Sequence, residues 1–121
     1  MQDQVKRALE RDRTIDITTT GRRSGQPRRI EIWFHNLDGQ IYITGSPGSR
    51  DWYANLQAHP DFTFHLKQSA TADLPARATP ITEEGERRRI LAQLLRRVGR
   101  PEGELETWVA RSPLVSVELH P

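Results

Sequence analysis

Apolar and polar residues alternate in two segments near the amino terminus, and a short glycine-rich stretch separates them. Residues 15–20 are rich in β-branched side chains, and residues 28–36 alternate so that every second side chain is apolar. Both patterns are typical of strands. Gly21 and Gly25 lie between the segments, where glycine permits the backbone angles of a tight turn. The sequence therefore predicts a β-hairpin here.

The same kind of alternation predicts four further strands. They cover residues 41–44, 62–67, 76–81 and 114–119. An Asp-Gly pair precedes the first of these and marks a hairpin turn, so residues 15–44 are expected to form an antiparallel meander. Pro75 and Pro80 lie at the ends of the 76–81 segment. Because proline has no N–H to donate, that strand is predicted to lie at a sheet edge.

Apolar residues at helical spacing predict three helices. The first covers residues 51–58, the second runs from an N-cap at Thr82 to Gly99, and the third covers residues 104–111. Arginines dominate one side of the second helix, which is typical of a solvated face: Arg87, Arg88, Arg89, Arg96 and Arg97.

The first thirteen residues form a polar N-terminal arm or helix. Val5, Ala8 and Leu9 are the apolar residues after Met1 in this segment. Three small apolar contacts favour a loose, solvated leader over a docked helix.

The order of elements is strand, strand, strand, helix, strand, strand, helix, helix, strand. It lacks the strict strand and helix alternation of a parallel sheet, and the strand connections are short enough for hairpins. The expected fold class is therefore α+β, with an antiparallel sheet curled into a small barrel and helices flanking it. At 121 residues, the chain is expected to form a single domain, 1–121.

Composition removes several classes of function. The chain has no cysteine, which excludes disulfides, thiolate nucleophiles and cysteine metal sites. The charged start of the chain lacks the apolar stretch of a signal peptide, and no apolar run approaches a membrane span, so a cytoplasmic location is expected. Sixteen arginines and two lysines give a net charge of only +2, too little to indicate nucleic-acid binding.

The tip of the predicted hairpin concentrates positive charge. Arg22, Arg23, Arg28 and Arg29 fall within eight residues, beside the hydroxyl of Ser24. Guanidinium groups and turn amides bind phosphate and carboxylate oxygens, so the tip is a candidate anion site. The alternative is an exposed turn with solvated arginines. A second candidate is the small-residue loop 45–49, which leads into a helix N-terminus, although the loop by itself favours an ordinary strand-to-helix connection.

The usual catalytic motifs are missing from the sequence. There is no G-x-S-x-G motif, no dinucleotide or P-loop motif, and the four histidines lack metal-ligand spacing, so no metal is expected. An anion site without a nucleophile indicates that a bound organic cofactor carries the reactive group.

The segment TTTGRRSGQPR at 18–28, followed by GSPG at 45–48 and WYANLQAHP at 52–60, resembles the deazaflavin-dependent nitroreductase family. The resemblance covers about residues 14–67. It implies a split β-barrel related to the FMN-binding pyridoxamine phosphate oxidase fold, and it implies the cofactor coenzyme F420, an 8-hydroxy-5-deazaflavin with a phosphodiester and an oligoglutamate tail.

The resemblance also implies roles for individual residues. The anionic tail would bind at the hairpin tip, the deazaflavin ring would lie along three residues of the following loop, and residues of the next helix would pack the site. Tyr53 or solvent would supply the final proton. The implied cofactor-binding residues are Arg22, Arg23, Ser24, Gly25, Arg28, Thr44, Ser46, Gly48, Trp52 and Asn55.

The implied activity is hydride transfer from reduced F420 to an electron-poor small molecule such as a quinone, an enone or a nitro compound. The second half of the chain has no tyrosine, so the nitroimidazole pocket of the best-known branch is not expected here. The alternatives are a split-barrel protein that binds FMN, FAD or haem, and a non-catalytic module for anionic ligands or lipid. A homodimer and peripheral membrane contact are further expectations. Trp33 and Phe64 could belong to the core, a pocket or an interface.

Overall fold

The computed structural model describes residues 2–120, which form one curled antiparallel sheet with four α-helices. The strands are β1 (Thr14–Thr20), β2 (Pro27–Trp33), β3 (His35–Leu37), β4 (Gln40–Thr44), β5 (Asp61–Leu66), β6 (Ala72–Pro80) and β7 (Leu114–Leu119). The helices are α1 (Asp3–Arg11), α2 (Asp51–Ala58), α3 (Glu84–Val98) and α4 (Leu105–Arg111), and a short 3₁₀ turn, Glu102–Glu104, precedes α4. This architecture confirms the predicted α+β split barrel.

The strand order is β2-β1-β5-β6-β7-β4-β3, so the two end strands are neighbours in sequence. Only Phe34 separates β2 from β3, and its N–H donates a 3.0 Å hydrogen bond to the carbonyl of Arg13. The single segment 27–37 therefore pairs with β1 through its first half and with β4 through its second half. Because one segment joins both ends of the order, the sheet curls into a barrel.

The expected continuous meander over residues 15–44 is wrong. Residues 15–33 form one hairpin and residues 35–44 form another, but β5, β6 and β7 separate the two hairpins in the sheet. Phe34 causes the division because its ring is buried against Phe64, with ring centroids 5.2 Å apart. The alternation of the sequence continues through this bend, so the pattern alone did not reveal it.

Strand β6 is interior, between β5 and β7, so the predicted edge position is wrong. Its prolines lie where the ladders end. Pro75 lies beyond the β6–β7 pairs, where its carbonyl still accepts the N–H of His120 at 2.8 Å. Pro80 lies beyond Arg77, where the β5–β6 ladder ends at the Asp61–Arg77 pair. A missing N–H at these positions removes no ladder hydrogen bond.

Helix α1 is docked, so the expected loose leader is also wrong. Val5, Ala8 and Leu9 all join the barrel's hydrophobic cluster, and Ala8 is fully buried. The Asn36 side chain holds the helix end by donating to the Leu9 carbonyl at 3.0 Å. Three apolar residues suffice because they lie on one face of the helix, opposite its charged residues.

Helices α3 and α4 cover one outer side of the sheet through a second hydrophobic cluster. Helix α3 begins one residue later than predicted because Glu83, not Thr82, is the N-cap; its carboxylate accepts the Glu86 N–H at 2.8 Å. The predictions for α2 and β7 are confirmed to the residue. Within residues 2–120, no helix has the length and apolar character that crossing a membrane requires.

Arg87 does not belong to the solvated face that the sequence predicted. It is only 8% exposed, and its guanidinium donates to four backbone carbonyls at 2.6 to 3.3 Å. Three of these carbonyls lie at the end of α4 and directly after it; the Trp108 carbonyl also accepts the Ser112 N–H at 2.9 Å. Arg87 therefore closes the last turn of α4 against the start of α3. The accepting residues are Ile81, Trp108, Val109 and Ser112.

Candidate functional site

The hairpin tip and helix α2 enclose a cavity of about 500 Å³, which we call the cradle. Six of the residues implied as cofactor ligands line it, and they come from the turn after β1, the start of β2 and one face of α2. These six are Arg22, Arg23, Ser24, Arg28, Trp52 and Asn55. The structure therefore brings together side chains that are up to 33 positions apart in the sequence.

Asn55 fixes the tip against α2. It is 4% exposed, and its side-chain oxygen accepts hydrogen bonds of 3.0 Å from both the backbone N–H and the guanidinium of Arg22. Its amide nitrogen donates to the Thr19 hydroxyl at 3.3 Å. Asp51 also pairs with the Arg22 guanidinium at 3.2 Å. Arg22 is consequently held in place before any ligand binds.

The turn itself depends on close backbone packing. The N–H of Gly21 donates to the Gln26 carbonyl at 2.8 Å, and the N–H of Gly25 donates to the Gly21 carbonyl at 2.9 Å. A Cβ on Gly21 would lie 2.5 Å from the Ser24 hydroxyl oxygen, which no real contact allows. Gly25 has a φ of 69°, a conformation that favours glycine. It shapes the turn without lining the cradle.

The four arginines of the hairpin do not all belong to one site. Arg29 lies on the outer face of the barrel, where it donates to Asp16 at 3.0 Å. Lys67 also donates to Asp16, and this hydrogen bond is the main cause that lowers the pKa of the Asp16 carboxyl. Arg29 therefore belongs to a surface charge cluster.

Arg23 and Arg28 are exposed and line the cradle. Their side chains form no hydrogen bond or ion pair within residues 2–120, so both are available to a ligand.

A second cavity of about 520 Å³, the aromatic cavity, lies between β3, β4 and helices α3 and α4. Trp33, which is 48% exposed, forms part of its rim together with Val98. The implied ring contacts Thr44 and Ser46 line it as well, as do His35 from β3 and Trp108 from α4. Trp33 is thus a pocket residue, whereas Phe64 is fully buried in the core.

His35 is the titratable group of the aromatic cavity whose pKa is most displaced. Burial, with smaller contributions from the nearby Arg97 and Arg13 guanidiniums, lowers its pKa from 6.5 to about 4. The imidazole is therefore neutral at neutral pH, with one nitrogen protonated and the other free to accept. A neutral imidazole in an apolar cavity can donate a hydrogen bond to a carbonyl oxygen.

The cradle and the aromatic cavity are neighbours, with Gly45 and Trp52 between them. Gly45 lines the aromatic cavity, and a Cβ placed on it would lie 3.9 Å from the indole of Trp52, which lines the cradle. Three large apolar residues are exposed within residues 2–120, and all three line these two cavities: Ile30, Trp33 and Val98. We call these two neighbouring cavities the groove. Three arginines line its cradle end, and tryptophans, leucines and Arg100 line its aromatic end.

A third cavity, of about 810 Å³, contains the remaining predicted residues Gly48 and Tyr53. We call it the arginine cavity because Arg50, Arg87 and Arg111 line it. The loop before α2 separates it from the aromatic cavity. Tyr53, the implied proton donor, thus lies apart from Thr44 and Ser46, and its ring contacts Trp52 edge to face at 5.9 Å between centroids.

Sequence reasoning missed several residues of the groove. Ile30 and His35 were placed only within the predicted strand 28–36, and nothing in its alternation marked them as cavity residues. Arg50, the residue before α2, was not singled out either; its guanidinium donates to the carbonyls of Ser46 and Ser49 at 3.0 and 2.9 Å and fixes the loop. An arginine directly before a helix, after a loop of small residues, was the available signal.

Residues 2–119 match the family described as F420H2-dependent quinone reductase. That match spans almost the whole chain. The chain belongs to the F420H2-dependent quinone reductase family.

Similar solved structures share the fold of this family member. An F420H2-dependent reductase, FDR-A, is 23% identical, with a TM-score of 0.65 over 88% of this chain and 95% of the other. A provisionally assigned pyridoxamine 5′-phosphate oxidase from Listeria innocua is 13% identical, with a TM-score of 0.69 over 98% and 93%. A proposed 5-nitroimidazole resistance protein from Bacteroides thetaiotaomicron is 13% identical, with a TM-score of 0.71 over 100% and 81%. At these identities the likeness shows the split-barrel fold.

Proposed function

We propose that this protein transfers a hydride from reduced coenzyme F420 to an electron-poor small molecule such as a quinone or an enone. The observation that carries the proposal is the groove, in which an arginine cradle and an aromatic cavity lie next to each other, with Trp52 and Gly45 between them. A long cofactor with an anionic tail and a planar ring has the same distribution of charge and apolar surface.

The cradle fits the anionic part of F420 by its donor set. Arg23 and Arg28 offer guanidinium donors that have no protein carboxylate partner within residues 2–120, and Ser24 adds a hydroxyl. Guanidinium groups bind phosphate oxygens in bidentate geometry, which lysine cannot reproduce. Arg22 is already paired with Asp51 and Asn55, so its main role is to hold the tip in the shape that the other two arginines require.

The aromatic cavity suits a planar ring and an acceptor beside it. Trp33 and Trp108 supply flat apolar walls, and Ser46 supplies a hydroxyl. The Thr44 hydroxyl donates to the Pro113 carbonyl at 2.6 Å, so Thr44 positions the loop and its hydroxyl proton is not free. Bound F420H2 would supply the hydride. The chain's own residues would orient the reactants and exclude water.

The proton that completes the reduction has two proposed sources, Tyr53 and solvent. Tyr53 lies in the arginine cavity, on the other side of the loop from Ser46. His35 lies in the aromatic cavity itself and is neutral at neutral pH. It would therefore hold an acceptor carbonyl by donating a hydrogen bond, while a solvent proton completes the reaction.

The first experiment is a titration of the purified protein with oxidised F420 and, separately, with FMN, followed by tryptophan fluorescence. Micromolar binding of F420 and much weaker binding of FMN would support the proposal. Preference for FMN would move the protein to the flavin-binding alternative, and no binding of either would reject both.

The cradle is tested with the double variant Arg23→Ala and Arg28→Ala. Its expected effect is a dissociation constant for F420 at least about ten times higher, equivalent to about 1.4 kcal/mol. Arg89→Ala is the matched control because Arg89 is exposed on α3 and outside the groove. Equal affinity of the double variant and the control for F420 would show that the cradle does not bind this cofactor.

A further inference from the structure

The arginine cavity carries an unusual balance of charge. Arg50, Arg87 and Arg111 reach it from the loop before α2, from α3 and from the end of α4. None of the described residues that line it is Asp or Glu. The cradle differs, because Asp51 lies there and pairs with Arg22. The arginine cavity therefore concentrates positive charge without a protein counter-ion.

Because Arg87 is buried, its positive charge has a greater need of a compensating negative charge. Its guanidinium donates to backbone carbonyls alone, and no carboxylate pairs with it within residues 2–120. Carbonyl dipoles satisfy its hydrogen bonds, yet they leave one full positive charge in a region of low dielectric constant. A negative ion in the adjoining cavity would compensate that charge.

Hydroxyl groups lie in and behind the wall of the cavity. Ser112 lines it, and the Ser112 hydroxyl is buried behind the cavity surface without a hydrogen-bond partner within residues 2–120. Buried hydroxyls without partners are uncommon in native structures, and each one calls for an explanation. Tyr53 and Thr82 line the same cavity with further hydroxyl groups, which can donate to an oxyanion.

Arg111 is the residue most available to a ligand. It is exposed at the end of α4, and its side chain forms no hydrogen bond or ion pair with residues 2–120. Its own carbonyl accepts the Gly48 N–H at 3.1 Å, which ties the residue to the loop on the opposite wall. Arg50 is already bonded to Ser46 and Ser49, so it adds charge from a fixed position.

We propose that the arginine cavity is a second oxyanion site, separate from the cradle, which binds the phosphate, sulfonate or carboxylate group of a small molecule. Arg111 is its principal ligand, and Arg50 and Arg87 supply fixed positive charge behind it. A cavity of about 810 Å³ holds more than an inorganic ion, so the natural occupant is an organic anion. The site does not depend on which cofactor the cradle binds.

The test is a titration with inorganic phosphate followed by amide resonances in NMR spectra. The double variant Arg23→Ala and Arg28→Ala is the starting protein, because it removes the free arginines of the cradle. Phosphate is expected to shift the Gly48 and Ser112 amides in this protein. Adding Arg111→Gln is expected to raise the phosphate dissociation constant at least about tenfold, whereas adding Arg89→Gln is expected to change it less than about twofold.

Two results would overturn the proposal. In the first, phosphate shifts only cradle amides such as those of Arg22 and Ser24 in the unaltered protein. This titration requires no variant, so it decides the question even where Arg111→Gln fails to fold. In the second, a folded Arg111→Gln variant binds phosphate as tightly as its Arg89→Gln control.

A second arm identifies the source of the anionic group, and it alone rests on the proposed function. With F420H2 as the donor, it compares a neutral naphthoquinone and the corresponding naphthoquinone sulfonate as acceptors by their KM values. A lower KM for the sulfonate that Arg111→Gln abolishes would assign the site to the acceptor's own anionic group. Equal KM values, together with phosphate binding at Gly48 and Ser112, would assign it to an independent anion. Turnover of neither quinone would contradict the proposed function and leave the phosphate result standing.

Discussion

Asn55 accepts two hydrogen bonds from one residue, Arg22, through a single side-chain oxygen, and both measure 3.0 Å. One comes from the backbone N–H and the other from the guanidinium. The amide of a helix residue thereby fixes both the path of the hairpin tip and the direction of its first arginine. The cradle therefore depends on α2 as much as on the turn that carries the arginines.

Asn55→Ala is expected to weaken both folding and ligand binding. The half-buried backbone N–H of Arg22 and the buried hydroxyl of Thr19 would each lose a partner, which costs about 1–3 kcal/mol in the free energy of unfolding. The dissociation constant for F420 would rise. Urea unfolding and a fluorescence titration measure the two effects. Gln57→Ala, an exposed change on the same helix, is the control. Equal urea midpoints for Asn55→Ala and Gln57→Ala would contradict the stabilising role of the Asn55–Arg22 hydrogen bonds.

The structure explains why the sequence predicted some of these elements and not others. The bounds of α2 were predictable because a loop of small residues precedes Asp51 and His59-Pro60 follows Ala58, and each signal is local. The pairing of Asn55 with Arg22 was not predictable, since it joins residues 33 positions apart. The sequence block that carries the family resemblance contains both residues, yet it does not say that they touch.

The burial of Arg87 was also not predictable from the sequence, because it depends on contacts with distant residues. Its neighbours Arg88 and Arg89 are charged residues on the same helix, so a solvated face was the reasonable expectation. The carbonyls that bury it belong to α4 and to Ile81, whose positions depend on how the two helices pack. Likewise, the aromatic cavity exists only because α3 lies across β3 and β4.

Arg87→Gln is expected to lower the free energy of unfolding by about 3 kcal/mol or more, because four buried carbonyls lose a charged donor. Arg87→Lys is expected to restore little, since one ammonium group cannot span the same carbonyls. Chemical denaturation measures both. Arg89→Gln, an exposed change two residues away, should leave the free energy of unfolding within about 0.5 kcal/mol of that of the unaltered protein. An equal loss in Arg89→Gln and Arg87→Gln would show that the hydrogen bonds to the four carbonyls do not cause the destabilisation.

His35 is expected to make stability depend on pH between 6.5 and about 4. Its pKa is lowered to about 4 in the folded protein, chiefly by burial, so the unfolded chain binds a proton in this range that the folded protein does not. Stability therefore falls as the pH falls through this window, by about 3 kcal/mol in total, and the contribution is constant outside it.

Urea unfolding at a series of pH values between 4 and 7.5 tests this expectation. The His35→Gln variant should lose that part of the pH dependence, while the same measurement on His59→Gln, an exposed histidine, should retain it. Parallel pH curves for the unaltered protein and His35→Gln would contradict the assignment.

Trp33→Ala is expected to affect the acceptor more than the fold. Trp33 is 48% exposed, and its contact with Arg13, 5.0 Å from ring centroid to guanidinium carbon, is worth about 0.5–1 kcal/mol at such a site. Losing one wall of the aromatic cavity should raise the KM for a quinone several-fold, while the dissociation constant for F420 changes less. Trp33→Phe keeps an aromatic wall and should restore most of the affinity; a KM unchanged in both variants would place the acceptor elsewhere.

The position of Phe34 has a consequence for the stability of the protein against aggregation. A sheet with two ends normally presents two rows of unpaired backbone groups, which invite pairing with other molecules. Here both ends belong to one uninterrupted segment, 27–37, and a single buried ring determines where it bends. No ladder joins β2 to β3, so the peptide bonds beside Phe34 are what keep the two end strands together. Cleavage there would leave each end strand free to move away from the barrel and to pair with another molecule.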